Sequence, residues 1–285
     1  MAFSVNTNVG AMAALQSLNA TNKELATTQS RINTGLEVSS TKDDSARYTI
    51  ASKLRGDVGT MKAVTSSLNR AKSTTDVAVA GAEQIQDLVN QMSSKTKEAQ
   101  DAGLDQTSRD SVAKDLTSLK TQVNSIIDSS EFNGVNLLKA PAASTTVGSV
   151  SALMSTKSTS ASDTINVANQ ATDTDFATAA GTKGAAIALA NAGAADTLQT
   201  ALGTFSDKVK TTLSNLGAAS RQLDGQLQFT SKLSDVVEAG IGNLVDADLA
   251  KESARLQAAQ VKQQLGVQAL SIANQAPQTI TSLFR

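Results

Sequence analysis

The chain has 285 residues, a net charge of −1 from 25 Lys plus Arg against 26 Asp plus Glu, and no His, Cys or Trp. Without His and Cys, disulfides, zinc sites of the usual kind, and Ser-His-Asp or Cys-His catalysis are excluded. Near-neutral charge with 2% aromatic residues argues against nucleic-acid binding, which needs a cationic face and usually stacking rings, and no run of about 18 apolar residues is present to span a membrane.

The opening stretch, Met1 to Asn8, has neither a basic region nor an apolar one, so no cleavable secretory signal is expected and export would need another route. Pro141 and Pro277 are the only prolines, which leaves two long stretches free of the strongest helix breaker. From Ala11, the residues Leu15, Leu18, Asn22, Leu25, Gln29, Ile32 and Leu36 alternate by four and three, the spacing of a coiled-coil seam. Asn22 and Gln29 are polar positions suited to fixing its register. Ile50, Leu54, Met61, Val64, Leu68, Ala71, Thr75, Ala78, Ala82, Ile85, Val89 and Met92 form a second seam. It predicts a helix over about 46–101, roughly 80 Å long at about 1.5 Å per residue.

Ala102-Gly103-Leu104-Asp105 reads as a turn. Thr107 or Ser108 is then expected to cap a third helix carrying Val112, Leu116, Leu119, Val123 and Ile126. Phe132-Asn133-Gly134-Val135 predicts a turn leading into a short strand. Residues 141–196 are mostly small and polar, with Phe176 the only aromatic. They read as a surface insertion with little core of its own, containing a strand at Thr164-Ile165-Asn166-Val167 and a short helix over Gly184 to Ala192. The four-three pattern returns at Leu198, Leu202, Phe205, Val209, Thr212, Leu216, Ala219, Leu223, Gln226, Thr230 and Val237. This predicts a helix over about 197–240, with a bend permitted at Gly240 and Gly242. In the last segment Ala254, Ala258, Val261, Leu265, Ala269 and Ile272 form one stripe while Leu249, Leu256 and Leu270 lie on another, so a single partner helix cannot cover it.

The expected fold is therefore mainly α: a long antiparallel helical bundle or coiled coil, its terminal helices paired, with a short β-hairpin and a small Ala/Ser/Thr-rich insertion. No catalytic, cofactor or metal residue is assigned. The two S-x-x-K matches, Ser39 to Lys42 and Ser94 to Lys97, lack the accompanying S-D-N and K-T-G. The pairs Asp43-Asp44, Asp173/Asp175 and Asp246/Asp248 are far from the six to eight oxygens calcium takes. For Asp246 and Asp248 a helix start, where the dipole favours negative charge, is the better account. The terminal stretches instead carry more apolar surface than a free helix tolerates, and isolated copies would be marginal. Pairing them, then stacking the pairs between subunits, makes Leu18, Leu25, Ile32, Leu256, Val261, Leu265, Leu270 and Ile272 the subunit-packing candidates. An intramolecular bundle without assembly is the alternative.

Thr27-Thr28-Gln29-Ser30-Arg31-Ile32-Asn33-Thr34-Gly35-Leu36, Ser40-Thr41-Lys42-Asp43-Asp44-Ser45-Ala46 and Phe132-Asn133-Gly134 resemble the N-terminal motifs of bacterial flagellins. Asp246-Ala247-Asp248-Leu249-Ala250-Lys251-Glu252-Ser253, Gln263-Gln264-Leu265-Gly266, Ala273-Asn274-Gln275-Ala276-Pro277-Gln278 and Ser282-Leu283-Phe284-Arg285 resemble their C-terminal ones. The resemblance implies an extracellular subunit of the flagellar filament, exported unfolded by the type III apparatus and polymerised beneath a cap. It also implies an export chaperone and hook-junction proteins as partners, leaves room for sister flagellins beside them, and implies no cofactor. Mapped onto the chain, residues 1–45 and 246–285 would form an inner coiled-coil domain, 46–140 and 197–245 a helical rod, and 141–196 a variable outward-facing insertion. Val38-Ser39 and Arg47-Tyr48 depart from the family's usual Ile/Asn and Gly-rich positions. Gln84 to Gln100 has no Arg where enteric-type flagellins carry an Arg-containing stretch read by an animal innate-immune receptor, so weak recognition is expected. A hook-filament junction protein of the same superfamily and a non-exported coiled-coil scaffold are the alternatives.

Overall fold

The computed structural model describes residues 7–141, 148–154 and 163–283, the last of these as backbone alone from 276. The chain order is α1 (Val9–Thr34), α2 (Ser45–Ala99), α3 (Gln106–Ser129), β1 (Val150–Leu153), β2 (Thr164–Val167), α4 (Thr172–Ala180), α5 (Ala192–Val245) and α6 (Leu249–Leu283). Two compact units result, one of Gly59–Ser234 and one joining the residues up to Val58 with those from Asp235 onward. The fold is mainly α, as the periodicity predicts.

In the Gly59–Ser234 unit the predicted α2 seam is the buried one. Met61, Val64, Leu68, Ala71, Ala78, Ala82, Ile85, Val89 and Met92 are all buried, and Thr75 sits among them with its hydroxyl donating to the Ala71 carbonyl at 2.8 Å. A second buried row, Ser67, Thr74, Gly81 and Leu88, runs one position ahead of it. The buried face is therefore too wide for one neighbour, and α2 packs into a shared core with α3 and α5. Each large aliphatic side chain placed there contributes about 1.5–3 kcal/mol relative to an exposed one. On α5, Leu202, Phe205, Val209, Thr212, Leu216, Leu223 and Thr230 follow their predicted seam into that core. No break occurs at Gly240 or Gly242; α5 continues as helix to Val245.

Two expectations about α3 are corrected. Asp105, extended at φ −74° and ψ 162°, is the N-cap of α3 in place of Thr107 or Ser108. The inward face of α3 is rotated from the predicted row: Leu116 and Val123 are buried, but Val112, Leu119 and Ile126 are half-buried and Arg109, Ala113, Lys120 and Ile127 lie deeper. Both buried cations close a helix C-terminus. Arg109 donates to the carbonyls of Ala99 (3.1 Å), the last residue of α2, and Asp101 (2.7 Å) just past it, and Lys120 donates to Ala180 (2.7 Å), the last residue of α4, and to Ala185 (2.9 Å) in the segment after it. Positive charge there complements the helix dipole.

Phe132 and Val135 exchange backbone bonds of 3.0 and 3.1 Å across Asn133 and Gly134, both at positive φ (51° and 81°), so the tight turn forms as predicted. The strand expected after it does not, because Asn136 redirects the chain. Its amide donates to the Ile127 carbonyl at 2.6 Å and its oxygen accepts from the N–H of Leu138 and Lys139, which drives Leu137 and Leu138 into the core.

The middle of the chain borrows the bundle's core. β1 and β2 pair antiparallel with Val150 opposite Val167 and Leu153 opposite Thr164, confirming the strand predicted at Thr164. Ala152, Ile165, Val167, Phe176, Ile187 and Leu189 all join the main core, with the Phe176 and Phe205 rings 5.0 Å apart. The helix expected over Gly184 to Ala192 is absent: residues 184–190 are non-helical, and the helix lies earlier, in α4. Local bonds explain this, since the Ile187 N–H donates to the Thr117 hydroxyl at 3.0 Å and the Leu189 carbonyl accepts from Gln106 at 3.0 Å. Side chains of α3 thus hold the segment by backbone groups that a helix would use internally.

Candidate assembly surface

The second unit brings together the two ends of the sequence. Asn8 caps α1 by accepting from the Ala11 N–H at 3.0 Å, and Gly35 closes it in the left-handed conformation. Asp248 accepts from the N–H of Ala250 (3.0 Å) and Lys251 (3.1 Å), starting α6 as predicted for an aspartate at a helix N-terminus. Between them, Leu36 and Asp246 form a bridge, the Glu37 N–H donates to the Val245 carbonyl at 2.7 Å and the Ala247 N–H to the Gly35 carbonyl at 2.9 Å. Those bonds aim α1 and α6 past each other antiparallel. Asn8 to the Ala273 carbonyl (2.7 Å), Gln263 to Asn22 (2.8 Å) and Arg31 to Glu252 (3.5 Å) mark successive rungs of the pair.

The α1 seam differs from the predicted one at alternate positions. Leu18, Leu25 and Ile32 are withdrawn from solvent as expected, but Thr21 and Thr28 occupy the intervening seats while Leu15, Asn22 and Gln29 are exposed. Asn22 still fixes register, from the edge, through Gln263. The facing row on α6 is Glu252, Leu256, Ala259, Gln263, Gly266, Leu270 and Ala273, again alternating by four and three. Small residues at every second seat let the helices close in: a Cβ on Gly266 would stand 3.3 Å from Leu18 Cδ1 and 4.0 Å from its Cα. Glu252 is only 4% exposed, and its Oε1 accepts from Arg31 and, at 2.6 Å, from Arg255. A buried carboxylate between two guanidiniums carries no signature in a periodicity reading and was not foreseen.

The eight packing candidates therefore divide. Leu18, Leu25, Ile32, Leu256 and Leu270 are half-buried in or beside the α1/α6 seam. Val261 (54% exposed), Leu265 (58%) and Ile272 (69%) stand on the opposite face of α6, uncovered within the chain. Val9 and Met12 are similarly exposed on α1. Beside the pair, Val38, Ala51, Ile241 and Val245 form a separate small core, flanked by Leu36, Tyr48, Leu54, Val58, Val237 and Leu244.

The remaining polar candidates serve local structure. One oxygen of Asp43 accepts from the N–H and hydroxyl of both Ser39 and Ser40 at 3.0–3.1 Å, and these bonds, the Ser39 hydroxyl first, hold its carboxyl below the usual aspartate value. Ser39 thus answers to Asp43, not to Lys42. Asp44 caps α2 through the N–H of Ala46 and Arg47, Asp173 accepts from the Ala140 N–H at 2.7 Å, and Asp175 pairs with Lys208. Ser94 and Lys97 are exposed on α2. Among the described residues no helix is long and apolar enough to cross a membrane.

Comparison with known proteins agrees with this architecture. Residues 5–143 match the bacterial flagellin N-terminal helical region and residues 199–284 the bacterial flagellin C-terminal helical region. The chain is 43% identical over 284 residues to flagellin FljK of Caulobacter vibrioides, covering 99% of this chain and 98% of that protein. It is 39% identical over 289 residues to a flagellin of Brucella melitensis, covering 99% of each. The crystal structure of Bacillus cereus flagellin is similar with a TM-score of 0.47 and 21% identity, over 56% of this chain and 86% of that one.

Proposed function

Because the chain belongs to the bacterial flagellin family, and so is a structural subunit of the flagellar filament with no enzymatic role, we propose how its parts share that task. Residues 1–45 and 246–285 make the inner contacts between subunits, 46–140 and 197–245 form the rod around them, and 141–196 faces outward. The single observation that carries this reading is the face of α6 bearing Val261, Leu265 and Ile272, each more than half exposed while the other face of the same helix is engaged by α1. Covering a side chain of that size is worth about 1.5–3 kcal/mol, and in a polymer the gain recurs at every subunit. Leu18, Leu25, Ile32, Leu256 and Leu270 contribute twice: they hold the α1/α6 pair, and their remaining exposed area is available to neighbours.

The family polymerises into filaments, sister flagellins included. We extend this to an export chaperone, a filament cap and hook-junction proteins as partners, and to an extracellular location reached in the unfolded state through the flagellar export apparatus. A pair of helices with a narrow seam of Ala, Thr and Gly seats suits a chain that orders fully only against its neighbours. The test is Leu265→Asp combined with Val261→Asp, both at exposed positions. Electron microscopy is expected to show no filaments and light scattering a monomer, with the melting of the 59–234 bundle unchanged. Filaments at the parental yield would overturn the assignment.

A further inference from the structure

On the unit that holds both chain ends, the last turns of α5 and the start of α6 enclose an open notch of about 700 Å³. It is lined by the small residues Ala239, Gly242 and Ala247 and by the carboxylates of Asp235, Glu238, Asp246 and Asp248. Asp248 is committed to capping α6. The side chains of Asp235 and Glu238 make no hydrogen bond or ion pair among the described residues.

The first turns of α2, in the same unit, present the opposite character. Arg47, Ile50 and Lys53 recur every third residue, so they lie in one slanting row along the helix. Ile50 is 51% exposed although its neighbour Ala51 is fully buried against Ile241 and Val245. Lys53 has no partner among the described residues, and Arg47 has only a loose contact of 3.5 Å with Asp44. An aliphatic knob between two cations thus stands on one face and a small-residue notch between carboxylates on another.

We infer that the notch of one subunit receives the Arg47-Ile50-Lys53 row of a second copy, the cations meeting Asp235 and Glu238 while Ile50 covers Ala239 and Ala247 beside the Asp246 carboxylate, which already lies over Gly242. The inference rests on the reading of the chain as a self-assembling subunit and adds a contact that does not involve the outer face of α6. An open polymer is built from heterologous contacts, in which two different patches of one chain must match each other. Here charge and shape match, and the chain's own α2 is turned away from its notch by the packing of Ala51. Opposite potentials also speed encounter and exclude wrong registers, an effect that salt weakens.

Seeded elongation of the full chain at low ionic strength provides the test. Reversing the notch with Asp235→Lys and Glu238→Lys, or the row with Arg47→Glu and Lys53→Glu, is expected to slow elongation by about tenfold or more. All four changes in one chain are expected to restore it. Because Arg47 adjoins the cap of α2, the notch variants Asp235→Asn and Glu238→Gln serve independently: they are expected to abolish the parent's loss of rate with added salt. Circular dichroism confirms that each monomer is folded. Parental elongation in both reversed chains, or no recovery in the fourfold variant, overturns the contact. Filaments from the Leu265→Asp and Val261→Asp chain would instead overturn the α6 assignment and leave this contact standing.

Discussion

Among the described residues Lys120 is the largest side chain with almost no exposure, and its ammonium donates to a pair of carbonyls, not to a carboxylate. Burial pushes its pKa down, so the charge is held at a cost that the Ala180 and Ala185 carbonyls offset by accepting its hydrogen bonds. Lys120→Met keeps the length of the stem and deletes those bonds, leaving the Ala180 carbonyl at the end of α4 and the Ala185 carbonyl beyond it unpaired. Loss of about 1–3 kcal/mol is expected, the cost of orphaned buried polar groups, read by denaturant unfolding, with faster amide exchange confined to residues 181–190. Asp43 works in the other direction. Its folded-state pKa is lowered from 3.8 by four donors, so its contribution is complete above the unfolded value and vanishes as the pH falls through the folded one. Acidification below about pH 4 is therefore expected to release the Ser39 and Ser40 amides, followed by exchange or NMR, and Asp43→Asn is expected to flatten that dependence. Neither residue was legible in the sequence. A single Lys in a helix and a single Asp in a Ser-rich loop belong to no periodic pattern, and their roles follow from carbonyls and hydroxyls that only the fold delivers.

Helices were legible in proportion to the size of their seam residues. On α2 and α5 Leu, Ile, Val, Met and Phe recur along the buried row and stand out from a polar background, so the predicted seam is the buried one from Met61 to Met92 and from Leu202 to Leu223, although Ile50, at the start of the predicted α2 seam, is 51% exposed. On α1 the buried seats between Leu18, Leu25 and Ile32 are Thr21 and Thr28, no more apolar than the exposed Asn22 and Gln29 by their place in the pattern, so the row read from sequence was shifted at alternate seats. The assembly candidates came from the same signal and met the same limit: the sequence stripe holds Val261, Leu265 and Ile272, which are exposed on α6, yet could not tell which face α1 covers. Close approach is the other property hidden from periodicity. A Cβ on Gly81 of α2 would stand 2.2 Å from the Ser130 Oγ and 3.0 Å from Leu138 Cδ1, and the Ser130 hydroxyl is held by its bond to the Ile126 carbonyl at 2.7 Å. Gly81→Ala gains up to about 1 kcal/mol of helix propensity but overpacks a site where such strain costs about 1–3 kcal/mol. A net destabilisation is expected in thermal melts. Gly203→Ala on α5, with nothing within 4 Å of the new methyl, is expected to stabilise by up to about 1 kcal/mol, so the pair separates packing from propensity.

At the scale of the whole chain, the two units differ in how much of their stability is internal. The 59–234 unit is built on a continuous core that runs from Val64 to Leu223 and takes in three long helices, the β1/β2 pair and α4. The unit of the chain ends has a buried cluster of Val38, Ala51, Ile241 and Val245 and a seam whose leucines are only half covered. Most of a helix's stability in a protein comes from packing its amphipathic face, so α1 depends on α6, and α6 in turn leaves Val261, Leu265 and Ile272 uncovered within the chain. Removing residues 1–20 takes away Leu18 and the Asn8 bond to the Ala273 carbonyl; removing 266–285 takes away Gly266, Leu270 and Ile272. Either truncation removes part of the proposed assembly surface while leaving every residue of the larger core in place. Both truncated chains are accordingly expected to be soluble monomers that fail to form filaments by electron microscopy, with the main thermal transition within a few degrees of the parent's and a loss of helical signal matching only the terminal helices. Normal filaments from both would show that the chain ends are dispensable to the polymer, and collapse of the main transition would show that the larger core does not stand on its own.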